Sequence, residues 1–471
     1  MTYLIPATCE LWVDGARYAD GQPGEDDREP FALTNLRITW GRDTTVDQPT
    51  PASCTFTIAD PPGGSIRFDS TVALGSTVAV WSALDGYRHV VFAGRITDLV
   101  AEFDEDLGAA TCDVVATDIL SDLANRFVGA EPWPAETMAA RASRILTAVG
   151  LNPAVSLAPV PAGPGAIVVT RMDVDRQAAA GLLFDLATSV GAVLWASWNQ
   201  STGAPYIIFE NPAARASLYA LGEGIPSLLW APAPGVGAGY PLSACQVLED
   251  PVKWSKAVTD LLTRATVRWQ DQTTSPGTTE RSLAMIDAAA ETEYGARGIS
   301  VGTVLTKQLD AQTLASALLA GHQASPAWRT DGLTWDLALS ETNDAATRDL
   351  VRTLLDNRLR LGYAIALIDL PYWTPTAAAV QLYIEGGTYS FDDGRWLLAL
   401  NGSPATGLGG SLAYGQTDRS IRYADVDPAV SYLEMIGVGP AGPTGPDWAD
   451  IPTATTWATV PADKRWADDP R

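Results

Sequence analysis

Apolar residues recur at every second position in short runs over the first 125 or so residues. Such alternation puts successive side chains on opposite faces of a strand, so that one face is buried and the other solvated. Asp85-Gly86 predicts a tight hairpin turn, because glycine tolerates the positive φ that such turns need, and residues 103–108 predict a wider turn. The pattern predicts a small antiparallel β-barrel or sandwich. The clearest alternating runs are Leu36, Ile38 and Trp40, then Cys54, Phe56 and Ile58, and then Val78 and Val80.

A helical pattern replaces the alternation from about Pro132. Pro132 and Pro134 predict the start of a helix and Gly150 predicts its end. A second helix is expected from about Asp175, after a linker rich in Pro and Gly at 153–165. The first helix carries one apolar face made of Met138, Ala142, Ile145, Leu146 and Val149.

Residues 178–198 form a 21-residue stretch with a single charge, Asp185. The length suits a membrane span. Positions 179, 182, 183, 186 and 190 nevertheless form a helical stripe that stops at Gly191, and residues 193–195 then suit a strand. We therefore predict a helix, a buried strand and no membrane span. Residues 206–209 add a further strand and complete a small α/β unit.

Strand patterns return after about Leu242. Ala265, Val267 and Trp269 alternate, and strands are expected to continue through residues 299–306. Asp310 is expected to cap a helix that ends at Gly321. Residues 328–339, 363–370 and 382–389 suit strands, and residues 349–359 suit a helix. A last hairpin turns at residues 393–394 into Trp396, Leu398 and Leu400.

The whole pattern predicts a mainly β fold with α/β insertions. A chain of 471 residues is long enough for about three or four domains. We predict a first β-barrel domain at 1–128, a small α/β domain at 129–241, a second β-barrel domain with helices and a closing hairpin at 242–436, and an extended tail at 437–471. Residues 225–241, rich in Pro and Gly, mark one of these boundaries.

Residues 437–471, here called the extension, differ in composition from everything before them. Gly439, Gly442 and Gly445 begin three successive Gly-X-Y triplets, the period at which three chains wind with glycine at the axis. The triplets predict that three termini converge in a homotrimer. Trp448, Trp457 and Trp466 then recur every nine residues, each followed by Ala, and are predicted to dock on a partner.

Residue types that carry out catalysis are scarce. The only histidines are His89 and His322, and the chain has no HExxH, no GxSxG and no phosphate-binding glycine loop. Four scattered cysteines, with no CxxC spacing, are expected to be reduced and buried. Calcium in an acidic loop is not favoured, since the loops lack EF-hand spacing. We predict no catalytic residue, no cofactor and no metal site. The cysteines are Cys9, Cys54, Cys112 and Cys245, and the acidic loops are 25–27, 104–106 and 392–393.

The net charge of −24 argues against a protein that reads DNA or RNA sequence, because an acidic surface repels phosphate. If such an acidic protein lined a channel, its surface would not hold the phosphates of DNA, and DNA could slide through. The 16 Trp favour packing between protein surfaces. The first residues show no basic segment followed by an apolar stretch, so no secretory signal is expected.

Three segments carry a family resemblance: Phe92-Ala93-Gly94-Arg95-Ile96-Thr97-Asp98, Cys112-Asp113-Val114-Val115-Ala116-Thr117-Asp118, and Tyr389-Ser390-Phe391-Asp392-Asp393-Gly394-Arg395-Trp396. The first two resemble the N-terminal barrel of baseplate hub proteins of long-tailed bacteriophages. The third resembles the final hairpin of hub-like minor tail proteins from actinobacterial phages. The resemblance covers about residues 1–405. It implies two barrels similar to tail-tube subunits, with three copies supplying six barrels to match a hexameric tube.

The same resemblance implies a location and partners. The location is the tail tip of the virion, after assembly in the host cytoplasm. The partners would be the distal tail and tape-measure proteins above, a fibre or spike below through the extension, and DNA only as passing cargo. Three alternatives stay open: the hexameric distal tail ring, a tail-associated peptidoglycan hydrolase, and a carbohydrate-binding receptor module whose Trp repeat stacks on sugars.

Overall fold

The computed structural model describes most of the first 321 residues and selected strands beyond them. The described residues are 7–20, 32–42, 47–60, 72–84, 86–104, 109–129, 132–158, 166–199, 202–210, 227–229, 246–247, 254–255, 261–271, 279–321, 329–330, 333–338, 348, 351–352, 354–355, 361, 364–368, 380–392 and 394–404.

The elements follow the predicted order of strands, then helices with short strands, then strands again. The first group is β1 (Thr8–Val13), β2 (Ala16–Asp20), β3 (Ala32–Gly41), β4 (Thr50–Asp60), β5 (Thr77–Leu84), β6 (Tyr87–Asp104), β7 (Ala109–Thr117) and α1 (Ile119–Ala124). The middle group is β8 (Phe127–Val128), β9 (Pro132–Trp133), β10 (Glu136–Thr137), α2 (Met138–Ala148), α3 (Pro153–Ser156), β11 (Val168–Val169), β12 (Met172–Asp173), β13 (Gln177–Ala178), α4 (Ala179–Ser189), β14 (Val193–Trp198) and β15 (Pro205–Glu210). The last group is β16 (Ser227–Leu229), β17 (Gln246–Val247), β18 (Trp254–Ser255), β19 (Arg264–Asp271), β20 (Thr279–Ile286), α5 (Ala288–Tyr294), β21 (Gly298–Gly302), α6 (Gln308–Gly321), β22 (Arg329–Thr330), β23 (Leu333–Asp336), β24 (Ala364–Ile368), β25 (Val380–Asp392) and β26 (Arg395–Pro404).

One sheet of 13 strands organises the molecule. Its main order is β17-β23-β26-β25-β3-β2-β1-β5-β6-β7-β4, and β24 joins β16 to β25. Strand β4 pairs with β7 on one side and with β3 on the other, so the pairings of the first seven strands form a cycle. The mainly β fold with α/β insertions is confirmed.

Strand β25 connects the two β-rich parts of the chain. It pairs antiparallel with β3, placing Phe391 opposite Leu36 and Tyr389 opposite Ile38. One hydrophobic core accordingly contains residues of both parts. The sequence predicts two separate β-barrel domains for these parts, and nothing in their local patterns indicates that they share a sheet. The domain boundaries themselves stay predictions. The largest fully buried side chains of this core include Phe56, Phe92, Trp335, Phe391 and Trp396.

The middle group packs around a second core formed by α1, α2 and α4 with the paired strands β14 and β15. The predicted apolar stripe of α4 is buried from Ala179 to Leu186, and β14 follows, as predicted. No helix among the described residues combines the length and apolar character needed to cross a membrane. The predicted start of the first helix is wrong, because Pro132 lies in β9 and Thr137 caps α2 through its side chain.

A third core lies between the sheet β20-β19-β21 and helix α6. The predicted alternation of Ala265, Val267 and Trp269 is confirmed, since all three are buried. Two expected boundaries are wrong: Asp310 lies in the first turn of α6 instead of capping it, and β21 ends at Gly302. An acidic side chain in the first turn still interacts favourably with the helix dipole.

The segments after α6 match the predictions in part. Within the strand expected at 328–339, the described residues 329–330 form β22 and 333–336 form β23, whereas 337–338 lie in a turn. The described residues of the helix expected at 349–359 are helical, and Leu354 and Leu355 are buried. The closing hairpin is confirmed: Gly394 has a φ of +74° at the turn, and Trp396, Leu398 and Leu400 are buried in β26.

Candidate interaction sites

The residues predicted to build the trimer and the docking segment lie outside the described residues. They are Gly439, Gly442, Gly445, Trp448, Trp457 and Trp466. Their convergence and docking therefore stay predictions. Cys245, His322 and the acidic residues 25–27 also fall outside the described ranges.

The described cysteines are confirmed as buried. Cys9, Cys54 and Cys112 have no exposed surface and form no disulfide. Burial raises the pKa of the Cys54 and Cys112 thiols, so little of the reactive thiolate forms near neutral pH. Within the described ranges, no group of three or more His, Cys, Asp or Glu side chains is placed to hold a metal ion.

The first two resemblance motifs form the paired strands β6 and β7. Phe92 and Ile96 are buried, and a Cβ atom at Gly94 would clash with the carbonyl oxygen of Thr117 on β7. Glycine in this motif therefore permits close strand contact. At the end of β7, Asp118 accepts hydrogen bonds from the backbone of Ala52 (2.8 Å) and Leu120 (2.9 Å) and caps α1. Burial raises the pKa of Asp118 to about 6.

The third motif, on the closing hairpin, supplies aromatic contacts between distant parts of the chain. Tyr389 stacks on Trp40 of β3 with ring centroids 6.3 Å apart, and its hydroxyl donates to Leu354 O (2.7 Å). Trp396 packs against Phe391 at 5.1 Å. These contacts help to hold β25 and β26 against the first β-rich part.

A buried ion pair lies at the same junction. The Arg42 Nε atom is 2.6 Å from Glu385 Oε2, and the two side chains are 4% and 1% exposed. Arg42 Nη1 donates to Asp47 O (2.8 Å), and Ser403 Oγ donates to the other oxygen of Glu385 (2.5 Å). Local sequence patterns do not indicate this pair, because its members are 343 positions apart.

A groove of about 580 Å³ lies between the outer face of β1, β5 and β6 and the turn that joins β14 to β15. Trp198 fixes this arrangement, since its indole N–H donates to Val90 O (2.6 Å) and its ring packs against Phe92. We call this the Arg88 groove. Its defining residues are Trp12, Trp81, Arg88, Arg95, Arg126 and Gly203.

Aromatic rings and guanidinium groups line the Arg88 groove. The Arg88 guanidinium lies over both Trp12 (5.0 Å) and Trp81 (4.7 Å), a cation–π arrangement, and pairs with Glu10. Arg95 donates to Gly75 O (3.0 Å). Arg126 pairs with Asp122, also in the groove wall, at 2.6 Å. The groove wall therefore combines two indole rings covered by one guanidinium with further guanidinium groups and the carboxylates of Asp118 and Asp122.

The outer half of β6 carries exposed apolar side chains. Val100 is 50% exposed and Phe103 is 67% exposed. Strand β5 stops short of them, since its last described pair with β6 joins Thr77 to Arg95. Exposed apolar groups on a projecting strand are typical of a surface that contacts another protein.

Comparison with known proteins identifies the fold. No protein-family model matches the chain. No curated protein sequence matches it either. The 43 kDa tail protein of prophage MuSo2 from Shewanella oneidensis has a similar structure, with a TM-score of 0.51 and 14% identity over 84% of this chain and 98% of that protein. The tail protein from Neisseria meningitidis MC58 is similar too, with a TM-score of 0.51 and 12% identity over 86% of this chain and 98% of that protein.

The likeness extends across nearly the full length of both tail proteins, so it concerns the whole architecture and not one shared motif. The TM-scores of 0.51 show a common fold, and identities of 12% and 14% do not establish a common partner. The chain has the fold of prophage tail proteins.

Proposed function

We propose that the chain is a structural baseplate hub protein that closes the end of a phage tail tube. The observation that carries this proposal is the fold shared with two prophage tail proteins over more than four-fifths of the chain. The distal tail and tape-measure proteins bind above it, and a fibre or spike binds below through the extension. DNA passes through the assembled ring without being read, and the ring sits at the tail tip of the virion.

The proposed ring contains three copies. The Gly-X-Y triplets of the extension support this number, because their geometry requires three chains. Val100 and Phe103 supply an apolar contact surface for a neighbouring copy, since closed rings bury such surfaces. The substitution Phe103→Ser should weaken the trimer and leave the fold intact, because the side chain is mostly exposed.

We infer a non-enzymatic role. The sequence contains only two histidines and no nucleophile motif, and the described thiols are buried. Hydrolysis of peptidoglycan needs a nucleophile, a base and an orienting group placed together. The pure protein should therefore leave cell walls intact in a zymogram, and clearing of the walls would contradict this part of the proposal.

Imaging of the intact virus tests the location. Cryo-electron microscopy of tails, with an antibody against this chain, should place three copies at the tip, below the hexameric tube. Six copies in the last ring of the tube would instead identify a distal tail protein. Labelling along the whole tail, or no labelling of the virion, would reject both assignments.

A further inference from the structure

We propose that the carboxylates of Asp98 and Glu102 prevent the outer edge of β6 from pairing with the same edge of a second copy. This inference rests on the proposed assembly into a ring and deepens it, because it names the side chains that exclude a two-fold dimer. The edge then stays available for contacts between unlike surfaces, which are the contacts that close a ring of three copies.

The outer edge of β6 is a long strand edge. Backbone pairing on this side of β6 ends at Ile96, which bonds to Gly75 and Ser76. Beyond Ile96, residues 98–104 pair with β7 alone among the described strands. The N–H and C=O groups on the open side of such a strand can pair with another strand.

The side chains of this segment favour association. Val100 is 50% exposed and Phe103 is 67% exposed, whereas Leu99 is half-buried. An exposed apolar strand edge readily pairs with an identical edge unless some feature of the strand opposes the pairing. The feature that opposes it here is charge.

One face of the segment carries negative charge without compensation. Successive side chains of a strand point to opposite faces, so Asp98, Val100 and Glu102 share a face, and Asp113 of β7 lies on it opposite Val100. The sequence has no lysine or arginine from residue 96 to residue 118. None of the ion pairs between described residues involves Asp98, Glu102 or Asp113.

The symmetry of a two-fold pair brings these charges together. A two-fold axis perpendicular to the sheet relates two antiparallel edges and keeps the same face of both strands on the same side. With Val100 at the centre of the pair, Asp98 of one copy lies directly opposite Glu102 of the other copy, and this arrangement occurs twice. Like charges directly opposite each other destabilise a pair of strands.

A charge swap at one position tests the proposal, because it converts the repulsion into attraction. In Asp98→Lys, each copy places a lysine opposite Glu102 of the other copy. In the double variant, Asp98→Lys with Glu102→Lys, both opposing positions carry lysine and repel again. The single variant should lower the dissociation constant of a two-copy species at least about tenfold, and the double variant should restore the wild-type value.

Native mass spectrometry of the full chain measures this effect. The two-fold pair uses the edge that is available to the ring, so Asp98→Lys should move copies from the three-copy species into even-numbered species. Asp175→Lys is the matched control, because it makes the same change in net charge at an exposed position outside β6. This control should assemble like the wild type.

Disulfide trapping identifies the register of the pair. Val100 of one copy lies opposite Val100 of the other, with Cβ atoms about 4.5–5.5 Å apart. Val100→Cys should therefore cross-link two copies rapidly in the Asp98→Lys background and slowly in the wild-type and double-lysine backgrounds. Thr97→Cys controls for random collision, because the two Thr97 positions would lie roughly 20 Å apart along the strands.

The outcomes separate this inference from the hub proposal. Unchanged assembly and cross-linking in Asp98→Lys would overturn the inference, and so would equal pairing by the single and double variants. If Asp98→Lys does not fold, the reciprocal variant Glu102→Lys creates the same two charge pairs. A three-copy wild type that does not respond to the swaps would reject the role of the carboxylates and leave the hub standing. The expected responses in a chain that forms no trimer would do the reverse.

Discussion

The buried pair of Arg42 and Glu385 provides a quantitative test of how β3 and β25 are held together. In the variant Glu385→Gln, Arg42 keeps its charge in a site where its side chain is only 4% exposed. Removing one partner of a buried pair costs about 3–5 kcal/mol, because the remaining charge has lost its compensation. We expect the free energy of unfolding to fall by that amount in guanidinium chloride titrations.

Two further variants separate the charge effect from a general loss of packing. The exposed pair Arg268 and Glu280, 3.6 Å apart with side chains 52% and 57% exposed, should tolerate Arg268→Ala with a loss of about 0–1 kcal/mol. The double variant Arg42→Met with Glu385→Leu should recover most of the stability lost in Glu385→Gln, since it leaves no buried charge. A loss below about 1 kcal/mol in Glu385→Gln, or no recovery in the double variant, would refute the reasoning.

The remaining predictions concern backbone contact, pH and the extension. Gly386→Ala should destabilise the protein, because the added Cβ would lie 2.6 Å from Trp40 O. Gly181→Ala, on an open face of α4, should instead stabilise the protein by about 0.5–1 kcal/mol. Thermal unfolding of the two variants measures both effects. The pKa of Asp118 is higher in the fold than in the unfolded chain, so its contribution to stability is fully present below about pH 4 and is lost as the pH rises through about 6. The wild type should therefore lose up to about 3 kcal/mol relative to Asp118→Asn, which does not titrate, between pH 4 and pH 7; parallel pH profiles would contradict this. Deleting residues 437–471 should leave a folded ring that no longer retains its fibre or spike, and loss of folding, seen by circular dichroism, would count against the docking role.

Sequence patterns predict most accurately the structural features that depend on residues close together in the chain. The alternation of Cys54, Phe56 and Ile58 and the stripe of α4 are periodic signals, and the burial of these residues follows them. The predicted start of α2 is less accurate. Two prolines suggest an early start, but the helix begins after Thr137, which caps it. A threonine cap depends on a side-chain hydrogen bond that periodicity does not reveal.

Contacts between distant positions were beyond the reach of sequence patterns. No periodicity links Arg42 to Glu385, or β3 to β25, so sequence patterns give no sign of the shared sheet or of its buried ion pair. The Arg88 groove was missed for the same reason, since Trp12, Trp81 and Arg126 come from separate elements. The residues that the sequence did single out in the extension lie outside the described structure.

The mass of the native assembly tests the hub proposal most directly. Native mass spectrometry of the purified full chain should give one closed species of three copies, each of 49.8 kDa. The Gly-X-Y triplets and the exposed apolar surface of β6 both lead to this expectation. A stable monomer or dimer, or a ring of six copies, would contradict it.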